Sequence, residues 1–343
     1  MVTFGDFSVE GGYLNGVVRG YVAGLLKFAH YSTLSQCETL EDVKLLLSST
    51  DYGDFLQDEA DKLTTSLIAQ KCTEHFVHQF NILYTDAKKP IKELFDFIRY
   101  GYMIDNVILL ITGALHNRDM EELMEKCHPL GKFEAMGTLC LATNVSELYQ
   151  AVLVETPLAP YFANCFDSHD LDEMNIEIIR NTLYKAYLED FYKFADTLDA
   201  ESSEYLKNML RVEADRRVLS ITMNSFGTEL SKDDRLRLFP SFGDLYPVGT
   251  ARLGKAEDIE MVRSVCDMFP QYRKFFDGTK SVDDQMLEYE TLLSKSSFEG
   301  ISNLAVFYSW VRLKEQEIRN IVWISECVAQ QQKDQASNYI PLF

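Results

Sequence analysis

One apolar-periodic segment that leads to an aromatic residue occurs three times along this chain. Matching Val43, Leu148 and Ile259 places the three copies 105 and 111 residues apart. Helical solenoid repeats are only about 20–50 residues long, whereas a longer unit can bury a core of its own. The spacing therefore predicts three related helical lobes in tandem, at residues 1–110, 111–220 and 221–343. We expect the lobes to share their boundary helices and to be related by pseudo-threefold symmetry.

A second segment recurs in step with the first and carries one acidic residue in each copy, namely Asp105, Asp215 and Glu317. Asp105 stands in a stretch that is apolar on nearly every helical face, so we expect its carboxylate to be buried. A buried carboxylate needs a cation or several hydrogen bonds, and arginines lie beside the acids of the second and third copies. The candidate partners are Arg216, Arg217 and Arg319. One acid per repeat predicts bridging between helices within each lobe rather than ligand binding.

Helical periodicity dominates the sequence between these segments. Residues 175–196 carry one apolar stripe at helical spacing, made of Ile176, Ile179, Leu183, Tyr187, Phe191 and Phe194. Residues 298–332 form the longest predicted helical stretch and contain no proline. Alternating apolar and polar residues joined by hairpin-type turns are absent, so strands are not expected beyond short pieces. The predicted fold class is all-α.

The formal net charge of −20 argues against nucleic acid and against direct adsorption to anionic lipid, since both attract clustered Lys and Arg. A strongly acidic surface favours a basic protein partner. Seven cysteines without a Cys-x-x-Cys pair are typical of thiols in a reducing compartment. No uncharged stretch reaches the roughly 17–25 residues that span a bilayer, and residues 1–12 lack a signal-peptide pattern. We therefore expect a cytosolic protein.

Two groups of side chains have spacings that could suit a metal ion. His75 and His78 stand three residues apart on a predicted helix, but zinc needs further ligands, and no His-Glu-x-x-His motif or cysteine pair supplies them. Asp283, Asp284 and Glu288 resemble the magnesium cluster of some all-helical transferases, but acids are also favoured at the start of a helix. We interpret both groups as structural and expect no metal site.

The motifs that most directly indicate catalysis or nucleotide binding are absent. Cys127-His128-Pro129 could suggest a thiolate–imidazole pair, but sequence neighbours rarely meet in the required geometry. The proline marks a helix end, so we interpret this segment as a turn. The phosphate-binding loop, the dinucleotide-binding glycine motif and the Gly-x-Ser-x-Gly motif do not occur. The sequence predicts a non-catalytic protein without a cofactor.

Several segments of the sequence resemble one family, subunit d of the eukaryotic vacuolar-type proton ATPase, which is related to the C-type subunit of archaeal and bacterial enzymes. They are YMIDNV (102–107), KCHPLG (126–131), TPLAPYF (156–162), MNIEIIRNTLYKAYLE (174–189), EADRR (213–217), residues 314–330, which begin KEQE, and NYIPLF (338–343). The resemblance covers essentially the whole chain from Gly12 onward. Residues 1–10, 57–90 and 278–293 diverge, and we interpret them as surface segments.

This resemblance implies a non-catalytic, all-helical funnel of three lobes on the cytosolic face of vacuolar, lysosomal or endosomal-type membranes. The family is expected to act in the rotor, where it joins the central stalk subunits D and F to the proteolipid ring. ATP hydrolysis elsewhere in the complex would then drive proton transport. The resemblance also implies contact with the cytosolic domain of the stationary a-type subunit, and with the membrane only through the ring.

Two alternatives of other classes stay open at this point. One is a free-standing helical adaptor in vesicle trafficking, which sequence alone does not separate from a rotor subunit because both are interaction proteins. The other is a magnesium-dependent all-helical enzyme built around Asp283, Asp284 and Glu288. A second Asp-rich helix would favour that enzyme, and the sequence has none.

Overall fold

The computed structural model describes residues 11–53, 63–116, 118–134, 136–139, 147, 151–152, 156–165, 176–276, 278 and 280–343. Across these residues the protein is all-α, as predicted, and they contain no β-strand. Among the helices described, none combines the length and the apolar character needed to cross a membrane.

The helices, numbered in chain order, have the following bounds. They are α1 (Gly12–Ala23), α2 (Phe28–Leu34), α3 (Leu40–Leu47), α4 (Thr65–Asp86), α5 (Ile91–Leu115), α6 (Met120–Lys126), α7 (Met136–Leu139), α8 (Ala159–Cys165), α9 (Ile176–Ala195), α10 (Ala200–Asn224), α11 (Lys232–Leu238), α12 (Val248–Leu253), α13 (Ile259–Cys266), α14 (Val282–Ser296) and α15 (Ala305–Ala329). Short 3-10 turns cover Pro129–Gly131, Ser297–Glu299 and Lys333–Gln335. The helix predicted over 175–196 is confirmed as α9.

Side-chain caps fix where many of these helices begin. The capping side chain accepts a hydrogen bond from a backbone N–H of the first turn, which would otherwise have no partner within the helix. The caps are Thr39 before α3, Thr64 before α4, Asp119 before α6, Asp199 before α10, Ser231 before α11 and Asp258 before α13.

The chain divides into two compact units. Unit 1 combines Met1–Phe95 with Asp284–Phe343, and unit 2 comprises Asp96–Asp283. Helix α5 therefore begins in unit 1 and continues in unit 2. The predicted lobe boundaries after residues 110 and 220 fall inside α5 and α10. The three lobes, their pseudo-threefold symmetry and the funnel stay predictions.

Helix α15 is the central element of unit 1 and packs against α1, α3 and α4. Its Trp310 is fully buried, with ring centroids 5.5 Å from Phe76 and 5.7 Å from Tyr21. Every residue from Ala305 to Val311 is buried, so the first two turns of α15 are enclosed by other elements, whereas Arg319 and Trp323 are exposed on one face of its later turns.

The first and last segments of unit 1 meet beside α15. The amide of Asn320 donates to the carbonyl of Ile340 at 2.6 Å and accepts from its N–H at 3.1 Å. The ring of Tyr339 stacks on Tyr31 with centroids 4.9 Å apart. Unit 1 thus combines residues from the first and the last parts of the sequence.

Unit 2 is organised around the pair α9 and α10, and α10 also packs against α11, α12 and α13. The ring of Phe97 on α5 stacks on Phe191 of α9 with centroids 4.9 Å apart. The hydroxyl of Tyr187 on α9 donates to the carbonyl of Phe97 at 2.9 Å. The apolar stripe predicted on α9 therefore packs against α5.

Candidate functional site

A buried carboxylate on α10 binds the backbone of a turn that follows it in unit 2. Asp215 is fully buried and accepts from the backbone N–H groups of Asp244 at 3.0 Å and Leu245 at 3.2 Å. It also accepts from the Tyr272 hydroxyl at 2.7 Å. Gly243 has a φ of +135°, and a Cβ at that position would lie 2.3 Å from Asp215 Oδ1. Only glycine fits there. We call Asp215 and these donors the Asp215 clamp.

Burial raises the pKa of Asp215 from its ordinary value to about 7. Hydrogen bonds from Tyr272 and from the two amides favour the ionised form and oppose this shift, whereas the nearby charge of Asp244 adds to it. Desolvation is the largest of these influences because the charged form loses the water that would stabilise it.

A second buried carboxylate, on α15, has the same role in unit 1. Glu317 is fully buried and accepts from the backbone N–H of Leu26 at 2.5 Å and from the Tyr52 hydroxyl at 2.6 Å. The ammonium of Lys314, itself buried, donates to it at 2.7 Å. We call this group the Glu317 clamp. It differs from the Asp215 clamp in containing a cation.

In both clamps the bound leucine, an eight-residue helix and the clamp tyrosine follow one another in the same order along the chain. In each clamp one bound amide belongs to a leucine that lies 14 residues before an eight-residue helix, Leu26 before α3 and Leu245 before α13. The clamp tyrosine follows that helix in both cases, and the carboxylate stands on a 25-residue helix, α10 or α15. The repeat seen in the sequence thus corresponds to a repeated structural device in the described residues of both units.

The structure corrects the register of this repeat. Val43 and Ile259 match in sequence because both follow an acidic pair, but Val43 is the fourth residue of α3 and Ile259 is the first of α13. Val262 is the residue that corresponds to Val43, 219 residues later. The mismatch arises because Asp42 closes a capping box at the third helical position, whereas Asp258 is itself the cap. Acids are favoured at both positions.

The prediction that Asp105 is buried is wrong, since its side chain is exposed. The adjacent Asn106 takes the buried polar position on α5. Its side chain accepts from the backbone N–H of His128 at 2.8 Å and donates to the His128 carbonyl at 3.0 Å. Asp105 is hydrogen-bonded to the hydroxyl of Tyr184 on α9, and burial together with this carboxylate raises the pKa of Tyr184. A shift of one residue rotates a helix position by about 100°, which decides which of the two is buried.

Two of the three candidate partner arginines bind an acid outside the predicted set. Arg216 and Arg217 both bind the buried Glu213, at 2.6 and 2.9 Å. The third, Arg319, donates to the side-chain oxygen of Gln316 at 2.5 Å. Residues three or four apart share a helix face, whereas residues one or two apart do not. That spacing explains why Glu213 binds the arginines while Asp215 binds backbone amides.

The two histidines considered as metal ligands lie in different environments. His75 is buried, with its ring centroid 5.0 Å from that of Tyr52, and His78 is exposed. Burial lowers the pKa of His75 to about 3, so it is neutral near pH 7. Within the described parts of the chain, no group of three or more potential ligands is placed to hold a metal ion.

The remaining candidate residues occupy turns and helix ends. Asp283 and Asp284 are exposed in the first turn of α14. His128 caps the 3-10 turn that follows α6, where its Nδ1 accepts from the Leu130 N–H at 3.2 Å. Burial lowers the pKa of His128 to about 4. Cys127-His128-Pro129 therefore forms the turn that the sequence predicts.

Comparison with known proteins gives matches along nearly the whole chain. A model of the family described as ATP synthase (C/AC39) subunit matches residues 14–339. V-type proton ATPase subunit d of Dictyostelium discoideum is 52% identical over 342 residues, which cover 98% of this chain and 96% of the relative. V-type proton ATPase subunit d1 of Arabidopsis thaliana is 51% identical over 332 residues, 95% of each chain. The subunit d of Saccharomyces cerevisiae is 45% identical over 341 residues, covering 98% of this chain and 99% of the relative.

The chain belongs to the V-type proton ATPase subunit d family. It is accordingly a subunit of a V-type proton ATPase, and an accessory rather than a catalytic one. The resemblance recognised in the sequence is confirmed. The magnesium-dependent enzyme considered as an alternative has no support in this family.

In this subunit d family member, Asn106 and Asp105 form a matched pair for testing which residue anchors the turn after α6. Asn106→Ala removes the buried acceptor of the His128 N–H, so we expect the free energy of unfolding to fall by about 1–3 kcal/mol. Asp105→Ala removes an exposed carboxylate whose partner, the Tyr184 hydroxyl, also donates to the Gly101 carbonyl, so it should cost less than about 1 kcal/mol. Urea denaturation of both variants measures the difference. A larger loss for Asp105→Ala would contradict the assignment.

Gly243 tests the close approach within the Asp215 clamp. Gly243→Ala places a methyl group against the carboxylate in a backbone conformation that suits glycine, so we expect a loss of roughly 1–3 kcal/mol in stability. Gly16→Ala in α1 is the control, because a Cβ there meets nothing within 4 Å. Alanine should stabilise that helix by about 0.5–1 kcal/mol. Thermal unfolding that moves in the same direction for both variants would refute the packing argument.

Proposed function

We propose that this chain is the non-catalytic rotor component that couples the central stalk of a V-type proton ATPase to its proteolipid ring. ATP hydrolysis in the catalytic subunits turns the stalk, the chain passes the torque to the ring, and the ring carries protons across the membrane. The observation that carries this proposal is the end-to-end similarity to subunit d relatives, which extends over 98% of the chain for Dictyostelium discoideum.

The proposed partners are the stalk subunits D and F, the proteolipid ring and the cytosolic domain of the stationary a-type subunit. The chain would lie on the cytosolic face of vacuolar, lysosomal or endosomal-type membranes, attached through the ring. A net charge of −20 supports protein partners with basic surfaces over nucleic acid or anionic lipid.

Torque transmission requires that the segments in contact with partners keep their position under load. The clamps fix two such turns to long helices by hydrogen bonds. Each clamp ties the backbone of a surface turn to a 25-residue helix through a buried carboxylate. The clamped turns lead directly to exposed apolar side chains. Phe28 follows Leu26 by two residues and is 63% exposed, and Tyr246 follows Leu245 by one residue and is 47% exposed. Exposed apolar groups on anchored turns are suited to partner contacts.

The test compares membranes from cells that lack the chain with membranes in which it has been restored. We expect vesicles without it to hydrolyse ATP without acidifying, or to lose the catalytic sector, and we expect restoration to recover ATP-driven acidification. After detergent extraction, the tagged chain should co-purify with the proteolipid ring. Normal acidification without the chain, or its recovery with vesicle-trafficking proteins and no ring, would contradict the proposal.

Variants of the exposed residues refine this test. Phe28→Ser and Tyr246→Ser should reduce co-purification or acidification several-fold while leaving thermal stability unchanged, because both side chains are exposed. Leu45→Ser is the matched control, since Leu45 on α3 is 74% exposed but does not follow a clamped amide. Equal effects of all three substitutions would show that the anchored turns have no special part in coupling.

A further inference from the structure

We propose that unit 1 binds two internal water molecules, held by side chains of α1, α4, α15 and the segment that leads into α15. Four buried side-chain atoms of this unit have no hydrogen-bond partner among the described residues, namely Asn15 Nδ2, Gln79 Oε1, Asn303 Oδ1 and Trp310 Nε1. None of these four residues is more than 6% exposed. The sites are a property of unit 1 alone and do not depend on the proposed coupling role.

The four atoms are complementary, since two of them are donors and two are acceptors. Folded proteins pair roughly 90% or more of their buried polar groups, either with protein or with ordered water. An unpaired buried donor or acceptor is unfavourable because it loses its hydration and gains nothing in return. About one buried water occurs per 27 residues of a globular protein. A unit that combines residues 1–95 with 284–343 is therefore expected to hold several.

The first site lies between α4 and α15, which pack directly against each other. The Trp310 ring lies on α4, with its centroid 5.5 Å from that of Phe76 and 6.5 Å from that of Phe80. Gln79 stands on the same buried face of α4 as these two rings, three residues after Phe76 and so one helical turn away. A water that accepts from the indole N–H and donates to the Gln79 oxygen would pair both atoms.

The second site lies where α1 meets the segment that leads into α15. Arg19 of α1 donates to the Phe298 carbonyl at 2.9 Å, which holds this segment against α1. The Asn15 oxygen accepts from Arg19 Nε at 2.7 Å, and the Asn303 amide nitrogen donates to the Ser297 carbonyl at 2.7 Å. These two bonds fix the orientation of both amides. They leave one donor and one acceptor, which a second water would join.

The chemistry of the four atoms selects water over other small ligands. All four belong to neutral groups, so they offer no counter-charge to an ion, and burying an ion without one is unfavourable. The Arg19 guanidinium beside the second site is already bound by two backbone carbonyls and by Asn15. An apolar ligand would leave every one of the four atoms unpaired. Water both donates and accepts, and a buried water typically makes about three hydrogen bonds.

A crystal structure of the full chain, at a resolution that reveals ordered water, tests both sites. We expect one water within roughly 2.7–3.2 Å of Trp310 Nε1 and of Gln79 Oε1, and another placed in the same way between Asn15 Nδ2 and Asn303 Oδ1. Direct hydrogen bonds within the two pairs, pairing of these atoms with other protein groups, or dry sites would overturn the proposal.

The substitutions Gln79→Met and Trp310→Phe test the first site in solution. Each removes one partner of the water and leaves the other polar group buried, so each should lower the urea midpoint of unfolding. The double variant has neither polar group and needs no water. Its midpoint should therefore fall by less than the sum of the two single shifts. Shifts that add would overturn the first site.

Trp323→Phe is the matched control, because Trp323 Nε1 donates to the Gln335 carbonyl at 3.1 Å. Combined with Gln79→Met, it should give additive shifts. Oxygen-17 relaxation dispersion of the solvent, which detects long-lived internal water, should lose the contribution of a single water in the Gln79→Met, Trp310→Phe double variant and stay unchanged in Trp323→Phe. An unchanged dispersion in the double variant, or the same loss in the control, would refute the assignment.

Discussion

The structure of each unit depends on a carboxylate of a long helix that binds the backbone N–H of a distant leucine. Burying an ionised carboxylate is unfavourable, and the loss of hydration is offset only when several donors converge on the group. Asp215 has two backbone amides and a tyrosine hydroxyl, and Glu317 has one amide, a tyrosine hydroxyl and an ammonium. Removing any donor leaves a buried acceptor less satisfied. The turns are therefore fixed to the helices in one position.

The two clamps differ in how far apart in the sequence the acid and the bound amide lie. In unit 2 the acid precedes the turn by about 30 residues, so the clamp closes within one continuous segment. In unit 1 the acid on α15 binds an amide 291 residues earlier in the chain, and Asn320 adds a second link to residue 340. Unit 1 can close only when its first and last segments are both present. Its contacts have a high sequence separation, which slows folding.

The sequence predicts the elements of this fold better than it predicts their polar contacts. Helix α9 and the all-α class follow from apolar periodicity, and the repeat is visible because its segments resemble one another. The acids at 215 and 317 are recognisable as a recurring pattern. Their acceptor role is not, because the donors are backbone N–H groups that every residue except proline carries. The residue identities of Leu26 and Leu245 do not indicate that their amides bind a buried carboxylate.

The errors have equally specific causes. Asp105 and Asn106 are adjacent, and a pattern read with an uncertainty of one residue cannot decide which of them faces the core. Arg216 and Arg217 lie next to Asp215 in the sequence but share a face with Glu213. Asp42 and Asp258 align in the repeat, but Asp42 is the third residue of α3 and Asp258 is the cap before α13. In each case helical phase, not composition, determines the contact.

The claim that a clamp stabilises each unit from within is tested most directly by a double-mutant cycle on Asp215 and Tyr272 of unit 2. Stability to urea would be measured for the full chain, for Asp215→Asn, for Tyr272→Phe and for the double variant. If the hydroxyl and the carboxylate stabilise unit 2 through their contact, the two losses should be non-additive, with a coupling of about 1–3 kcal/mol. Losses that add to within about 0.5 kcal/mol would contradict the account.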